Sequence, residues 1–325
     1  MPKLAITLGD QAGIGPEIVL KLLTKPENLS KVQVQLLADP EEVALAESQT
    51  GLQLQWSLDE EPGKVQLIPS GKADMSIELG KVSEAAGRRV MAGLMQGLAM
   101  AKSGKTNAIM FGPLNKTSLK LAGMHHEDEL RLFATELEFD GFTSELNILD
   151  SLTTARVTSH IPISEVAQKV TFQNVMSAIH LLRESLIVSG KPNPRLGICG
   201  LNPHAGENGN FGRQEIDIIA PAVEAAQAEG IDIDGPYPSD TIFATKRHLF
   251  DGIVTMYHDQ GQIAMKLIGF DSGVTVQGGL PISIATPAHG TAFDLVGQNK
   301  ANIGASQAAF DYSVRAAIRN AEKNS

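Results

Sequence analysis

The sequence predicts an α/β protein. Short apolar runs alternate with stretches of helical apolar spacing along most of the 325 residues, which is the pattern of alternating strands and helices. Several of the runs end in glycine-containing turns. Apolar residues make up 42% and charged residues 20%, the balance of an ordinary globular core with a solvated surface.

The elements follow in order. LAITLG (Leu4 to Gly9) reads as a short buried strand, and Pro16 stands where a first helical position tolerates it, opening EIVLKLL. VQVQLLA from Val32 alternates as a strand, and PEEVALAES continues as a helix. Ser83 to Ala101 has the spacing of a long amphipathic helix, leading to the strand NAIMFGPL. ELNILDS, ARVTSH and RLGICGLNPH read as further strand segments, with a helix from Asn174 to Val188 among them. EIDIIAPAVEAAQAEG is a helix stopped by Gly230. GIVTMYHD, GVTVQGG and ISIATP are expected strands, and SQAAFDYSVRAAIRNAEK a closing helix. SGKPNP (Ser189 to Pro194) is the best linker candidate, although a loop within one domain has the same composition.

Composition excludes several classes of function. A net charge of −10 argues against nucleic acid as the main partner, because phosphate neutralisation needs clustered Lys and Arg. Aromatic content of 5% is too sparse for base-stacking platforms. No run approaches the roughly 18 apolar residues of a membrane span, so no membrane partner is expected. The single Cys199 forms no internal disulfide, and no signal-peptide pattern opens the sequence; the expected location is the cytoplasm.

His160, His204 and His258 each lie at the carboxyl end of an expected strand. A parallel sheet could bring such strand ends to one crevice, and three neutral imidazoles suit a divalent metal with positions left for substrate oxygens. Any one of them alone is more often a hydrogen-bonded structural histidine; three at equivalent strand ends shift the balance toward ligands. Lys266, on the segment YHDQGQIAMK, could bind a carboxylate or assist proton transfer; otherwise it is a solvated lysine. Asp240, in PSDTIF, could be a base or a helix N-cap. In GDQAGIGPE, Asp10 would sit near the carboxyl end of its strand, where α/β proteins place ligands, but the segment lacks the dinucleotide pattern GxGxxG and reads at least as well as a tight strand-to-helix turn. In TPAHGTAFDLVGQNKAN, the residues His289, Gly290, Thr291, Asp294, Gly297 and Asn302 form a loop against which a flat cofactor ring could lie, with the histidine stacking on or bonding to adenine.

Taken together, GDQAGIGPE, VTSHIP, LNPHAGE, GPYPSDT, YHDQGQIAMK and HGTAFDLVG occur in the order of the 4-hydroxythreonine-4-phosphate dehydrogenase family of vitamin B6 biosynthesis, which the sequence resembles nearly end to end. The resemblance implies an isocitrate/isopropylmalate-dehydrogenase-like fold. Residues 1–325 would form a single catalytic unit of two interleaved α/β subdomains around a central cleft. It implies a homodimer with the active site at the interface and a divalent metal (zinc, manganese, cobalt, nickel or magnesium) held by His160, His204 and His258 from both subunits. It further implies NAD or NADP held through the HGTAFD segment, and Lys266 and Asp240 at the substrate. The implied reaction oxidises a 3-hydroxy acid to the 3-keto acid with decarboxylation.

The substrate positions depart from the family pattern. Where the family has Gly-His-Thr-Glu, this chain has Asp128, Glu129, Leu130 and Arg131; where it has an Asn and then an Arg, this chain has Thr275 and Ile284. A phosphate beside Glu129 would be repelled. The expected substrate is therefore a hydroxy acid other than 4-phosphohydroxy-L-threonine. The alternatives are the vitamin B6 enzyme itself, a cis-dihydrodiol dicarboxylate dehydrogenase or, in another class, a phosphate acyltransferase-like protein.

Overall fold

A computed structural model describes residues 1–149, 151–269 and 273–323. Along the chain run β1 (Lys3–Thr7), α1 (Gly15–Leu23), α2 (Pro26–Leu29), β2 (Gln33–Leu37), α3 (Pro40–Thr50), β3 (Trp56–Ser57), β4 (Val65–Leu67), α4 (Glu84–Lys102), β5 (Ala108–Phe111), α5 (Lys116–Leu121) and α6 (Glu129–Glu136). There follow β6 (Ser144–Leu149), β7 (Leu152–Arg156), α7 (Ile163–Lys169), α8 (Phe172–Val188), β8 (Leu196–Cys199), α9 (Ala220–Ala228), β9 (Ile233–Tyr237), α10 (Ser239–Thr241), β10 (Gly252–Thr255), α11 (His258–Gly269), β11 (Val274–Gly278), β12 (Ser283–Pro287) and α12 (Gly304–Lys323). They divide into two compact units, Met1–Phe139 with Pro281–Ser325, and Asp140–Leu280.

In the first unit the strands are parallel in the order β3-β4-β2-β1-β5-β12. All residues of β2 and β5 are buried, as strands covered on both faces require. Helix α1 starts with a proline in its first turn, and its Glu17 and Lys21 pair one turn apart at 2.7 Å. Helix α4 is capped by Ser83, whose side chain accepts the Ala86 N–H at 3.1 Å. At Gly87 a β-carbon would stand 1.9 Å from the Ser118 carbonyl oxygen, so only glycine lets α4 lie this close to α5.

A buried polar knot joins these layers. Asp39 and Glu42 form a capping box at the start of α3. The Asp39 carboxylate also accepts the N–H groups of Ser70 (2.7 Å), Gly71 (2.8 Å), Lys72 (2.9 Å) and Ala73 (2.7 Å). Burial alone would raise the Asp39 carboxyl, but the donors of Gly71, Ala73, Lys72 and Ser70 together outweigh it and hold it below the usual range. A carboxyl lowered on folding stabilises the protein above its unfolded pKa, and that stabilisation is lost as pH falls through the folded value. Asp39→Asn is therefore expected to lower stability at neutral pH and to flatten the acid limb of a urea-midpoint profile between pH 7 and 3. An unchanged acid limb would show that these bonds do not favour the charged form.

In the second unit the order is β11-β6-β7-β10-β8-β9, antiparallel across β11-β6-β7 and parallel from β7 to β9. A core of Leu149, Leu152, Cys199, Ile242, Phe250, Ile253 and Met265 underlies it. Cys199 is fully buried, which pushes its thiol far up.

Two expectations are corrected. The strand in ARVTSH ends at Arg156 and that in GIVTMYHD at Thr255, so their histidines stand beyond the ladder, and His258 opens a helix. The segment Ser189 to Pro194 joins α8 to β8 inside the second unit, while the chain passes between units at residues 139–140 and 280–281. The segment IDGPY, with its turn-forming Gly and Pro, is the strand β9; it lies at the sheet edge, where a missing N–H leaves no gap in the ladder. Among the described residues no helix is long and apolar enough to cross a membrane.

Candidate active site

The register of β7 and β10 brings two of the three histidines together. Arg156 pairs with Thr255 in the parallel ladder, and beyond it the Val157 and Thr158 N–H groups bond to Thr255 and Met256 carbonyls at 2.8 and 3.1 Å. The Thr158 hydroxyl donates to the same Met256 carbonyl at 2.8 Å. The two chains thus leave the sheet side by side, and the His160 and His258 rings lie 5.4 Å apart at 44°. His258 Nδ1 is 2.7 Å from Asp259 Oδ1. An ionised carboxylate only accepts, so in this pairing Nδ1 carries the hydrogen and Nε2 presents its lone pair.

His204 is placed differently. Its residue and the following Ala205, Gly206, Glu207 and Asn208 all have positive φ, from 44° to 82°, a left-handed turn that L side chains adopt at a cost. Glu215, buried to 3% exposure, anchors this loop by accepting the N–H groups of Leu201 and Asn202, each at 2.7 Å. The His204 ring lies 6.2 Å from that of Phe211. Among the described residues, the three histidines do not form a group whose ring nitrogens all lie within 4.8 Å of one another.

Lys266 is exposed on α11, two turns beyond His258. Asp240 is exposed within α10, whose N-cap is Pro238, so Asp240 is not the cap; it accepts from the Thr241 hydroxyl at 3.5 Å. Thr275 is half-buried in β11 opposite Asn147. In the first unit, Glu129 is the first residue of α6, only 7% exposed, with Lys116 Nζ 4.0 Å away. Ile284 is fully buried in β12.

The 289–302 loop packs on the turn after β1. Ile14 N–H donates to the Thr291 carbonyl at 3.0 Å, and a β-carbon on Gly13 would stand 2.7 Å from Thr291 Cβ. Asp10 is fully buried and bonds the Ala12 N–H at 2.9 Å, so it holds this turn and is closed to ligands; burial raises its carboxyl. His289 Nδ1 lies 3.1 Å from the Gly290 carbonyl oxygen, which makes Nδ1 the donor; Nε2 is then a buried acceptor without a partner. Gly290 and Gly297 have open space where a β-carbon would stand, and Gly297 has φ of 74°. The Asp294 carbonyl accepts from Gln298, and Asn302 Oδ1 accepts the Gly304 N–H at 2.8 Å, at the start of α12.

Sequence reasoning missed the polar side chains that underlie α11. Asn147, Arg156 and Glu145 stand on one face of β6 and β7, and Gln262 of α11 reaches Asn147 at 2.8 Å. The signal available was the polar alternation of Glu145 and Asn147 around Leu146.

A profile of the family described as "Pyridoxal phosphate biosynthetic protein PdxA" matches residues 18–313. A Pseudomonas aeruginosa protein provisionally named 4-hydroxythreonine-4-phosphate dehydrogenase 2 is 48% identical over 97% of either chain. A protein of Oceanobacillus iheyensis provisionally named D-threonate 4-phosphate dehydrogenase is 34% identical over 91% of this chain and 92% of its own. Among solved structures, 4-hydroxythreonine-4-phosphate dehydrogenase from Klebsiella pneumoniae superposes with a TM-score of 0.80 at 31% identity, covering 97% of this chain and 98% of that one. Terephthalate 1,2-cis-dihydrodiol dehydrogenase from Burkholderia xenovorans gives 0.73 at 26% identity with the same coverage. Isocitrate dehydrogenase from Methylococcus capsulatus, at 0.51 and 15% over the whole of this chain and 86% of that one, shares the fold alone. With its isocitrate-dehydrogenase-like α/β fold and full-length similarity to named dehydrogenases, the chain belongs to the PdxA family of dehydrogenases.

Proposed function

We propose that the protein is an NAD(P)- and divalent-metal-dependent dehydrogenase that oxidises a 3-hydroxy acid to its 3-keto acid with loss of CO₂. The observation that carries this reading is the His160–His258 pair, 5.4 Å between ring centres, with Asp259 fixing one ring. A carboxylate on the far nitrogen of an imidazole is the usual support of a metal-ligating histidine, and it sets the tautomer that can ligate. The donor set therefore fits a divalent cation such as zinc, manganese, cobalt, nickel or magnesium. His204 would supply the third ligand, the set being drawn from both subunits of a homodimer as the family resemblance implies. When bound, the ion supplies charge that acidifies a hydroxyl and steadies the enolate left by decarboxylation.

The 289–302 loop fits a nicotinamide dinucleotide. His289 Nε2 is a buried acceptor that an adenine amine would satisfy, and Gly290 and Gly297 leave backbone open to a flat ring. Thr291 ties this loop to the turn after β1, and Asp294 and Asn302 stabilise its return into α12. Lys266 binds the substrate carboxylate through its ammonium, and Asp240, which is exposed, accepts the hydroxyl proton.

The substrate of this reading is a hydroxy acid other than 4-phosphohydroxy-L-threonine. In the first unit the fully buried Ile284 stands where the resemblance puts the family's arginine and Glu129 where it puts a histidine; in the second unit Thr275 stands where it puts an asparagine. The relatives' names supply the competing substrates. The test follows nicotinamide reduction by the metal-loaded protein, with NAD and with NADP. The substrates are 4-phosphohydroxy-L-threonine, D-threonate 4-phosphate, its unphosphorylated form and a cis-dihydrodiol dicarboxylate. The expected result is turnover of a hydroxy acid other than phosphohydroxythreonine. Efficient oxidation of phosphohydroxythreonine would overturn the altered-substrate reading, and no reduction with any hydroxy acid would overturn the reaction.

A further inference from the structure

Helix α11 carries His258, Gln262 and Lys266 at four-residue intervals, so the three share one side of the helix. The stripe beside them, through Met265 with Ala264 and Ile268, packs on the apolar core of the second unit. Apolar packing is non-directional and leaves a helix free to roll by a small angle. A hydrogen bond with a required geometry does not. Gln262 makes that bond: its Nε2 donates to Asn147 Oδ1 at 2.8 Å.

The orientation of this bond is fixed from below. Arg156, with its side chain 3% exposed, donates through Nη2 to Glu145 Oε2 at 2.8 Å and to Asn147 Oδ1 at 3.3 Å. A guanidinium has donors only, so Asn147 must turn its oxygen toward Arg156. That oxygen has a second lone pair, and a donor is what it needs from α11. The cross-strand pairing of Asn147 with Thr154 and of Asn147 with Thr275 keeps these groups and the candidate substrate residue Thr275 on one face of the sheet. The order of constraint thus runs from Glu145 to Arg156, to Asn147, to Gln262 and so to the helix that bears Lys266.

We propose that Gln262, oriented by Asn147 and Arg156, is a positioning residue that sets the roll of α11 and thereby aims the Lys266 ammonium at the substrate. The inference rests on the reading of Lys266 as the carboxylate-binding lysine. Truncating the lysine, Lys266→Ala, tests that reading separately.

The experiment compares Gln262→Met, Asn147→Leu and Asn147→Asp with the parent, in steady-state kinetics on the best hydroxy acid of the panel and in amide exchange across α11. Gln262→Met keeps volume and removes the donor; Asn147→Leu removes the acceptor; Asn147→Asp keeps an oxygen that accepts from both Arg156 and Gln262. Misaiming the lysine is expected to lower kcat/KM by roughly 10- to 100-fold in Gln262→Met and Asn147→Leu, chiefly through KM, with faster exchange in α11. Asn147→Asp is expected to stay within about twofold of the parent, the rescue that a general packing role would not give. If one variant fails to fold, the other two still decide the matter. Unchanged KM in both non-polar variants, slower or unchanged α11 exchange, or equal losses in Asn147→Asp and Asn147→Leu would overturn the proposal. If Lys266→Ala leaves KM unaltered, the reading of the lysine fails; if it raises KM while Gln262→Met does not, only the positioning role fails.

Discussion

His258→Ala is expected to remove both metal affinity and turnover, with kcat falling by at least about 10²-fold. The side chain stands at the point where the β7 and β10 chains run out side by side, facing His160 at 5.4 Å. Its loss takes away one nitrogen of the pair and the anchor for Asp259 together. The milder change Asp259→Asn keeps a ring at position 258 but weakens the bond that selects its tautomer. It should cost roughly 10- to 100-fold in metal affinity. Cobalt titration of the apoprotein reads affinity, and nicotinamide absorbance reads turnover. Full activity of His258→Ala with metal still bound would exclude the pair as ligands. A ranking in which Asp259→Asn is worse than His258→Ala would show that the carboxylate acts on something other than the ring.

Arg89→Met is the stability change with the largest expected effect. Arg89 reaches from α4 to Glu42 with two bonds, Nε to Oε1 at 2.5 Å and Nη2 to Oε2 at 2.7 Å, and the two side chains are 5% and 2% exposed. Glu42 Oε2 also accepts the Asp39 N–H at 2.7 Å, so the pair is joined to the knot around α3. Removing the guanidinium leaves a carboxylate stranded in the interior, at a cost of about 3–5 kcal/mol read as a fall in the urea midpoint. Removing both charges together, Arg89→Met with Glu42→Leu, should recover a large part of that loss, because most of it is the penalty of the unpaired charge. Additive losses in the double variant would mean that the pair acts mainly through its individual bonds to neighbours.

The α/β class and most of the long elements were legible because their signals are local. Pro16 marks the start of α1, the apolar spacing from Ser83 marks α4 although Ser83 proves to be its cap, and the alternation in VQVQLLA matches a strand. The edge strand β9 was hidden by Gly235 and Pro236, since local chemistry there favours a turn and only the neighbouring β8 makes it a strand. At the site, the histidines were read as strand-end residues, but they lie past the ends of their strands, and neither that offset nor their separation was legible. That depends on how far each loop runs after the ladder stops: four residues from Arg156 to His160, three from Thr255 to His258, and a left-handed turn around His204. The support beneath α11 was least legible. Asn147 meets Gln262 across 115 residues of chain, and neither residue type in its own segment hints at the other.

The division of the chain into a first unit interrupted by a second has a consequence for synthesis on the ribosome. The second unit begins and ends in adjacent strands, with Ser144 opposite Gly278, so everything it needs has emerged once residue 280 is out. The first unit is still missing β12 and α12 at that moment, and β5 lacks the neighbour that pairs Ile109 with Ile284. A nascent chain stalled there carries a finished insert on a host with an open, apolar strand edge, the kind of surface that chaperones cover and that seeds aggregation. Synthesis in that order leaves the first unit to close after the second, when Ile284 meets Ile109.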